Sequence, residues 1–452
     1  MKLKAISGIL AMALILTLLA ACGSKGSSEN GSSASPSASE SASASASASE
    51  SAGSGDSGKP ITLNMWAALD STEAGKKTLA KIEAFNNLQK DVQVNVQIIS
   101  YDVMHDKLIA AINAGDAPDL TWGLSEWFGE LNKMDALADM TPYIDKWEDK
   151  SKIFPNVLDA VTVDGKVKAL PNYLGIRALL YHKDILAQAG YNAPPKTWDE
   201  LLKMASVIKE KTGKEAFGIA GKGVRSPQEL MMYLAQNGLT VADRQADGKY
   251  KNTWADNPDQ LKKAAEVFKF YQDLLATKTI KSDAKTWGWE EEDQNFALGQ
   301  YAMVVNGPWM EGRAKDNPDT MKDVEIAAPI YSEKPATFLE VAMLFPFKSD
   351  HPDATWKLAS YLIGKDYQTE INYAGNSPRS DVQATNKWGK DFLALAPQGQ
   401  VFPPVSLSGI TTALEDSLAR AMLKNDKPEV VAQWLSDAIN ESLRKTGELS
   451  GS

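Results

Sequence analysis

From Ile61 onward the chain alternates between two periodicities. Ile61-Thr62-Leu63-Asn64-Met65-Trp66 switches between apolar and polar like a half-buried strand. Thr72–Phe85 has helical spacing, and Val92–Ile99 is a second β-branched run. Tyr101–Asn113 places Leu108, Ile109 and Ile112 on one helix face and closes at Gly115, and Asp119-Leu120-Thr121-Trp122 is a third short strand. Strands joined through helices run parallel, so this order calls for an α/β sheet covered on both faces.

The alternation continues to the end of the chain. Asp164-Gly165 is a turn between two β-rich runs. Thr197 stands three residues before Glu200, a capping box that opens a helix to Lys211. Asn257-Pro258 opens another helix with Pro at its first position. Tyr301–Val305 reads as a buried strand broken by Gly307-Pro308, and late helices are expected near Asp353–Ile363, Thr411–Leu423 and Pro428–Lys445. The folded part, 59–452, is too large for one tight core, and there are no internal repeats. Two α/β lobes are expected.

Residues 1–58 carry no such pattern. Lys2 and Lys4 precede Ala5–Ala21, which has no charge and is short for a membrane span, as in a secretion signal. Leu19-Ala20-Ala21-Cys22-Gly23 resembles a bacterial lipobox, where cleavage leaves a cysteine that takes the lipid; a buried thiol within a discarded signal is the alternative for Cys22. In Gly23–Gly58, 16 of 36 residues are Ser, and too few apolar side chains remain to offset the entropy of ordering, so 22–58 is expected to be a tether. A flexible chain of that length reaches roughly 30–36 Å.

Composition narrows the function. A net charge of −10 argues against nucleic acid, which requires a basic footprint. One cysteine allows no internal disulfide, and His105, His182 and His351 are too scattered for a zinc cluster. Asp243-x-Gln245-x-Asp247-Gly248 begins like a calcium loop but has Trp254 where a bidentate Glu is required, so it reads as a turn. Glu290–Asp293 reads as a solvated acidic face rather than a cation site. No G-x-S-x-G, Walker A or H-E-x-x-H occurs, and neither a metal nor a cofactor is expected. The 12 tryptophans are the informative excess, since indole faces stack well on flat apolar ligand surfaces.

Eight segments in order resemble the sugar-binding branch of the extracellular solute-binding proteins of ABC importers, the branch that includes maltose-binding protein. They are Leu63–Trp66, Ala114–Leu120, Asp164–Lys166 with Leu170-Pro171, Leu180–Asp184, Ala189–Tyr191, Pro194–Leu201, Phe296–Met303 and Asn306–Trp309. The resemblance implies a type II periplasmic-binding-protein-like α/β fold: two lobes, a ligand cleft between them and three hinge crossings. The crossings are expected near Pro171, near Glu340–Val341 and near Asp391–Ala394. Lobe 1 would then be 59–170 with 342–390, and lobe 2 would be 171–340 with 392–452. The expected partners are a carbohydrate, the ABC permease subunits and, through lipid on Cys22, the outer face of the bacterial cell membrane. The protein is expected to be monomeric.

A sugar presents hydroxyls at its rim and C–H faces above and below, so its cleft needs carboxylates, amides or Arg together with aromatic plates. The loop after the first strand offers Trp66, Asp70 and Ser71, which match a sugar-contacting loop of the family; helix capping by Asp70 and lobe packing by Trp66 are the structural alternatives. Trp122-Gly123-Leu124-Ser125-Glu126-Trp127 places Glu126 and Trp127 where maltose-binding protein has Asp and Arg. Gly175 replaces a sugar-binding Glu of that protein, and Tyr173 or Arg177 is a candidate to fill the space. Arg225 lies in a polar loop, Gly221–Gln228, that aligns with a contact loop of the family. Trp309 matches a stacking Trp, and Trp287 and Trp289 are further candidates from lobe 2. Another family Trp, due near Ile410 or Thr411, is absent. Trp198, Trp356 and Trp434 are assigned to structure. The rival functions are a secreted glycoside hydrolase, with Asp70 and Glu126 as its carboxylate pair, a receptor for a non-sugar solute such as a polyol phosphate, and a sensor module signalling to a membrane kinase.

Overall fold

The computed structural model describes residues 59–69, 73–371, 376–385 and 387–451. The segments expected to be signal and tether, with Cys22, and the candidates Asp70 and Ser71 lie outside them. Two sheets organise the folded unit from Gly58 onward. The first contains β1 (Ile61–Ala67), β2 (Val92–Ile98), β3 (Leu120–Leu124), β4 (Leu170–Ile176), β9 (Thr337–Pro346) and β10 (Gly399–Gln400), and the second contains β5 (Ala178–His182), β6 (Glu215–Gly218), β7 (Tyr301–Asn306) and β8 (Val324–Ala327). The major helices are α1 (Glu73–Leu88), α2 (Tyr101–Ala114), α3 (Ser125–Lys133), α4 (Trp198–Thr212), α5 (Arg225–Gln236), α6 (Pro258–Ala276), α7 (Trp289–Ala297), α8 (Pro352–Leu362), α9 (Ser408–Met422) and α10 (Pro428–Lys445).

Local signals fix much of this. β1 pairs parallel with β2 and β3, and its alternation buries Leu63, Met65 and Ala67. Gly115 ends α2 at φ 74°, a left-handed position that costs glycine little. Thr197 and Glu200 form the expected capping box of α4, and the Asn257 side chain accepts two backbone N–H groups at the start of α6. Asp164 and Gly165 both have positive φ, 51° and 74°, in a two-residue hairpin turn between short strands. α5 begins at Arg225, so the second half of the expected polar loop is helix.

β9 links the two halves. All ten of its residues are buried, so the strand has no alternation to announce it. It pairs antiparallel with β3 through Ala342–Pro346 and with β4 through Leu339–Leu344. A register shift opposite Ala342/Met343 leaves Asn172 as an extra residue in β4. β4 stays in the first sheet as far as Ile176, and β5 opens the second at Ala178. Arg177 between them is pinned to β9: its N–H donates to Phe338 O (3.2 Å), and its carbonyl accepts from Thr337 Oγ1 (2.7 Å). Among the described residues no helix is long and apolar enough to cross a membrane.

Candidate functional site

β3 runs straight into α3, so Ser125 and Glu126 sit where the carboxyl end of a strand meets a helix N-terminus, which favours an acid. Beside them is a cavity of about 280 Å³ with walls from both halves. His105, Glu126, Trp127 and Glu130 form one side; Val224, Pro227, Phe402, Thr411, Thr412 and Glu415 form the other.

A polar bridge closes one edge of it. Gln228, on α5, which follows β6 of the second sheet, donates from Nε2 to Glu126 Oε1 (2.6 Å) and to Glu340 Oε2 (3.3 Å). Its Oε1 accepts from Arg177, which also donates to Glu340 Oε2 at 3.2 Å. The Tyr173 hydroxyl donates to Glu340 Oε1 (3.2 Å). Burial, together with the Glu340 charge, pushes the Glu126 carboxyl up to about 7. On the same wall as Glu126, His105 lies 3.2 Å from Glu130 and holds the Glu130 carboxyl below its ordinary value.

Trp309 stands behind this bridge, half-buried. The Arg177 guanidinium lies 4.3 Å from its ring centroid and that of Arg225 lies 5.1 Å away. Its indole N–H is buried and makes no hydrogen bond. Two glycines make room for the ring: a Cβ at Gly307 would fall 2.1 Å from it, and one at Gly175, paired across from Glu340, would fall 3.3 Å away.

Arg225 is itself held by acids. It donates to Glu292 at 2.8 Å and pairs with Asp293, which also accepts from Asn306 Nδ2 at 2.7 Å. Burial would lower the Arg225 pKa, but the two carboxylates hold it above its usual value. Burial and the charge of Glu292 push the Glu229 carboxyl well above its ordinary value. The run 290–293 is therefore only in part the solvated face expected: Glu290 and Glu291 are exposed, but Glu292 and Asp293 are 0% and 1% exposed, because α7 turns them inward to Arg225.

The remaining candidates fall into three groups. Trp122 stacks on Tyr173 (centroids 6.4 Å apart) and meets Trp127 edge-on, so these rings join the first-lobe wall to β4. Trp127 is mostly buried but borders the cavity. Trp66 packs partly buried against the core, and Trp289 lies half-buried with Arg225 5.9 Å from its ring. Trp287 lies in the loop before α7 but is core, only 7% exposed and stacked on Tyr301 at 6.1 Å, rather than open to a ligand. Arg177 and Arg225 are both buried and committed to carboxylates, which withdraws them from direct pairing with an anion. Of the Trp residues assigned to structure, Trp198 is core, stacked on Phe270 at 4.4 Å. Trp356 is instead half-buried and lines a surface groove of about 660 Å³ with Tyr143 and Trp147.

Sequence reasoning missed Gln228, Glu340, Glu130, His105 and Glu415 as site residues. Glu340 had a readable signal, a lone charge inside Thr337–Pro346, an otherwise almost wholly apolar run. Gln228 lay at the end of the polar segment Gly221–Gln228, but nothing local singled it out, since its partners lie 51, 102 and 112 residues away. Among the described residues no group of His, Cys, Asp or Glu is arranged to hold a metal ion.

The fold and site define a two-lobed α/β binding protein with its cleft at the carboxyl ends of the strands. Residues 80–396 match the model of the family described as bacterial extracellular solute-binding protein, and the chain belongs to that family. A putative binding protein of Brucella abortus is 23% identical over 87% of this chain and 95% of its own length. The arabinooligosaccharide-binding protein of Bacillus subtilis is 29% identical over 61% of this chain and 63% of its own. Among solved structures, a solute-binding protein of an ABC transporter from Thermotoga lettingae, bound with α-D-tagatose, superposes with a TM-score of 0.74 at 27% identity, covering 85% of this chain and 100% of that one. The GacH receptor of Streptomyces glaucescens, solved unliganded and with acarbose, superposes with a TM-score of 0.75 at 22% identity over 85% of this chain and 99% of that one.

Proposed function

We propose that the protein captures a saccharide in the cleft between its lobes and delivers it, chemically unchanged, to an ABC permease. It works as a monomer at the outer face of the cell membrane, held there by lipid on Cys22 and lifted clear by the 22–58 tether. The lobes are 59–170 with 342–390 and 171–340 with 392–452, and the paired strands β4 and β9 flex between them. Saccharide enters the open cleft, the lobes hinge shut, water leaves, and the closed face docks on the permease.

The observation that carries this reading is the cavity walled by both halves, which brings together an aromatic plate and bulky apolar side chains with carboxylate and hydroxyl groups, the two chemistries a sugar presents. The sugar ligands named for the arabinooligosaccharide-binding and tagatose-bound relatives support the class of guest. Of the Asp70–Glu126 pair that a hydrolase would need, Asp70 lies outside the described residues, and Glu126 is held by the Gln228 amide, which also bonds to Glu340; nothing favours hydrolysis. The commitment of Arg177 and Arg225 to carboxylates disfavours a phosphate-bearing solute.

Isothermal titration of the purified protein against a panel of mono- and oligosaccharides tests the proposal. Saturable binding of at least one saccharide, with no product released, is expected. Binding of an amino acid, peptide or metal ion in place of every sugar would overturn it.

A further inference from the structure

The cavity's charges are one-sided. Glu126, Glu130 and Glu415 line it, and His105 is the only basic side chain among the lining residues. The Arg177 guanidinium is buried and spent on Glu340 and Gln228. Arg225 is spent on Glu292 and Asp293, and neither arginine lines the cavity. Glu126 accepts from the Gln228 amide and the Ser125 hydroxyl, and Glu415 accepts from the Gly223 N–H at 2.9 Å, so neither meets a cation. Closure around a guest removes water from these acids and leaves their charge to be met by the guest.

We propose that the cleft selects a saccharide bearing a protonated amine, an unacetylated hexosamine unit, over its neutral counterpart, and rejects the counterpart bearing a carboxylate or phosphate. This rests on the saccharide-binding reading above and adds the charge class of the guest. An ammonium group offers three donors and one positive charge, which suits acceptors on opposite walls of the cavity. A uronate or sugar phosphate would bring like charge into a closing, poorly solvated space. The facing groups also give the proposal a protonic signature. The Glu126 carboxyl stands near neutrality because it is buried and faces Glu340; an ammonium placed against it lowers that pKa and displaces a proton.

The test is isothermal titration of the purified protein at pH 7 with matched sets, each holding a hydroxyl sugar, its amino sugar, its N-acetyl amino sugar and its uronate or 6-phosphate. Monosaccharides and both α- and β-linked oligomers are included. In whichever series binds, the amino sugar is expected to bind about tenfold tighter than its hydroxyl and N-acetyl counterparts, and the acid not to bind. Its binding enthalpy should change with the ionisation heat of the buffer, which reports proton release. Glu415→Gln should narrow the gap between amino and hydroxyl sugars. Equal or weaker binding of the amino sugar, or binding of the acid, overturns the proposal and leaves the saccharide reading intact. Failure of every saccharide overturns both.

Discussion

Glu340 is a charge set inside a buried strand. It survives there because Arg177, Gln228 and Tyr173 all donate to it. The same logic governs Arg225 among Glu292, Asp293 and Glu229. Removing one partner from such a cluster strands the others, so Arg225→Met is expected to cost about 3–5 kcal/mol of unfolding free energy. Urea unfolding checks this; adding Glu292→Gln and Asp293→Asn should recover part of the loss, and a single variant that unfolds like wild type would refute the account. Glu126 makes a pH prediction. Its carboxyl sits near 7 in the folded protein, against an ordinary 4.5. The folded state therefore holds this proton more tightly than the unfolded chain. The resulting stability is full below 4.5 and lost as pH rises through about 7. The melting temperature of ligand-free wild type should fall more across that window than that of Glu126→Gln, and parallel curves would contradict the shift. Trp309→Ala should weaken saccharide binding by about 10–100-fold in calorimetry. An unchanged Kd would confine Trp309 to a packing role.

At the scale of elements, α3 is the part whose placement matters most to the cavity. It runs directly from β3, carries Glu126, Trp127 and Glu130, and packs its Gly129 against the backbone of Val405, where an added Cβ would lie 2.0 Å from the carbonyl oxygen. Gly129→Ala is expected to push α3 away from that segment and widen the cleft. Small-angle scattering should then give a larger radius of gyration with saccharide present, and calorimetry a weaker Kd; wild-type values of both would contradict this. Elements were legible where the signal was local. The capping box at Thr197, the Asn257-Pro258 start and the Gly115 stop lie within a few residues of what they control. β9 was not legible as a strand, since burial on both faces erases its period. Neither was the inward turn of Glu292 and Asp293, whose partner Arg225 lies 67 and 68 residues away. The Trp residues divided for the same reason: type and spacing announced an aromatic excess, but which rings reach the cleft depends on pairings between distant strands.

At the scale of the whole molecule, the two-lobed α/β plan followed from the alternation of strand and helix, from size and from the resemblance to solute-binding proteins. The particular pairing that joins the halves, β4 against β9, required the structure. In the proposed function the tether and lipid leave the folded body free to bind. Cys22→Ser is therefore expected to move the protein from the membrane fraction to the medium while leaving saccharide affinity unchanged, read by fractionation and calorimetry. Retention at the membrane would refute lipid attachment at Cys22. The central claim is that a saccharide lies between the lobes, and a crystal structure grown with the tightest-binding saccharide tests it most directly. The account predicts the sugar enclosed against Glu126 and within reach of Trp309 and the Thr411–Glu415 segment. Sugar seated only in the Tyr143–Trp147–Trp356 groove, with the space between the lobes holding none, would contradict it.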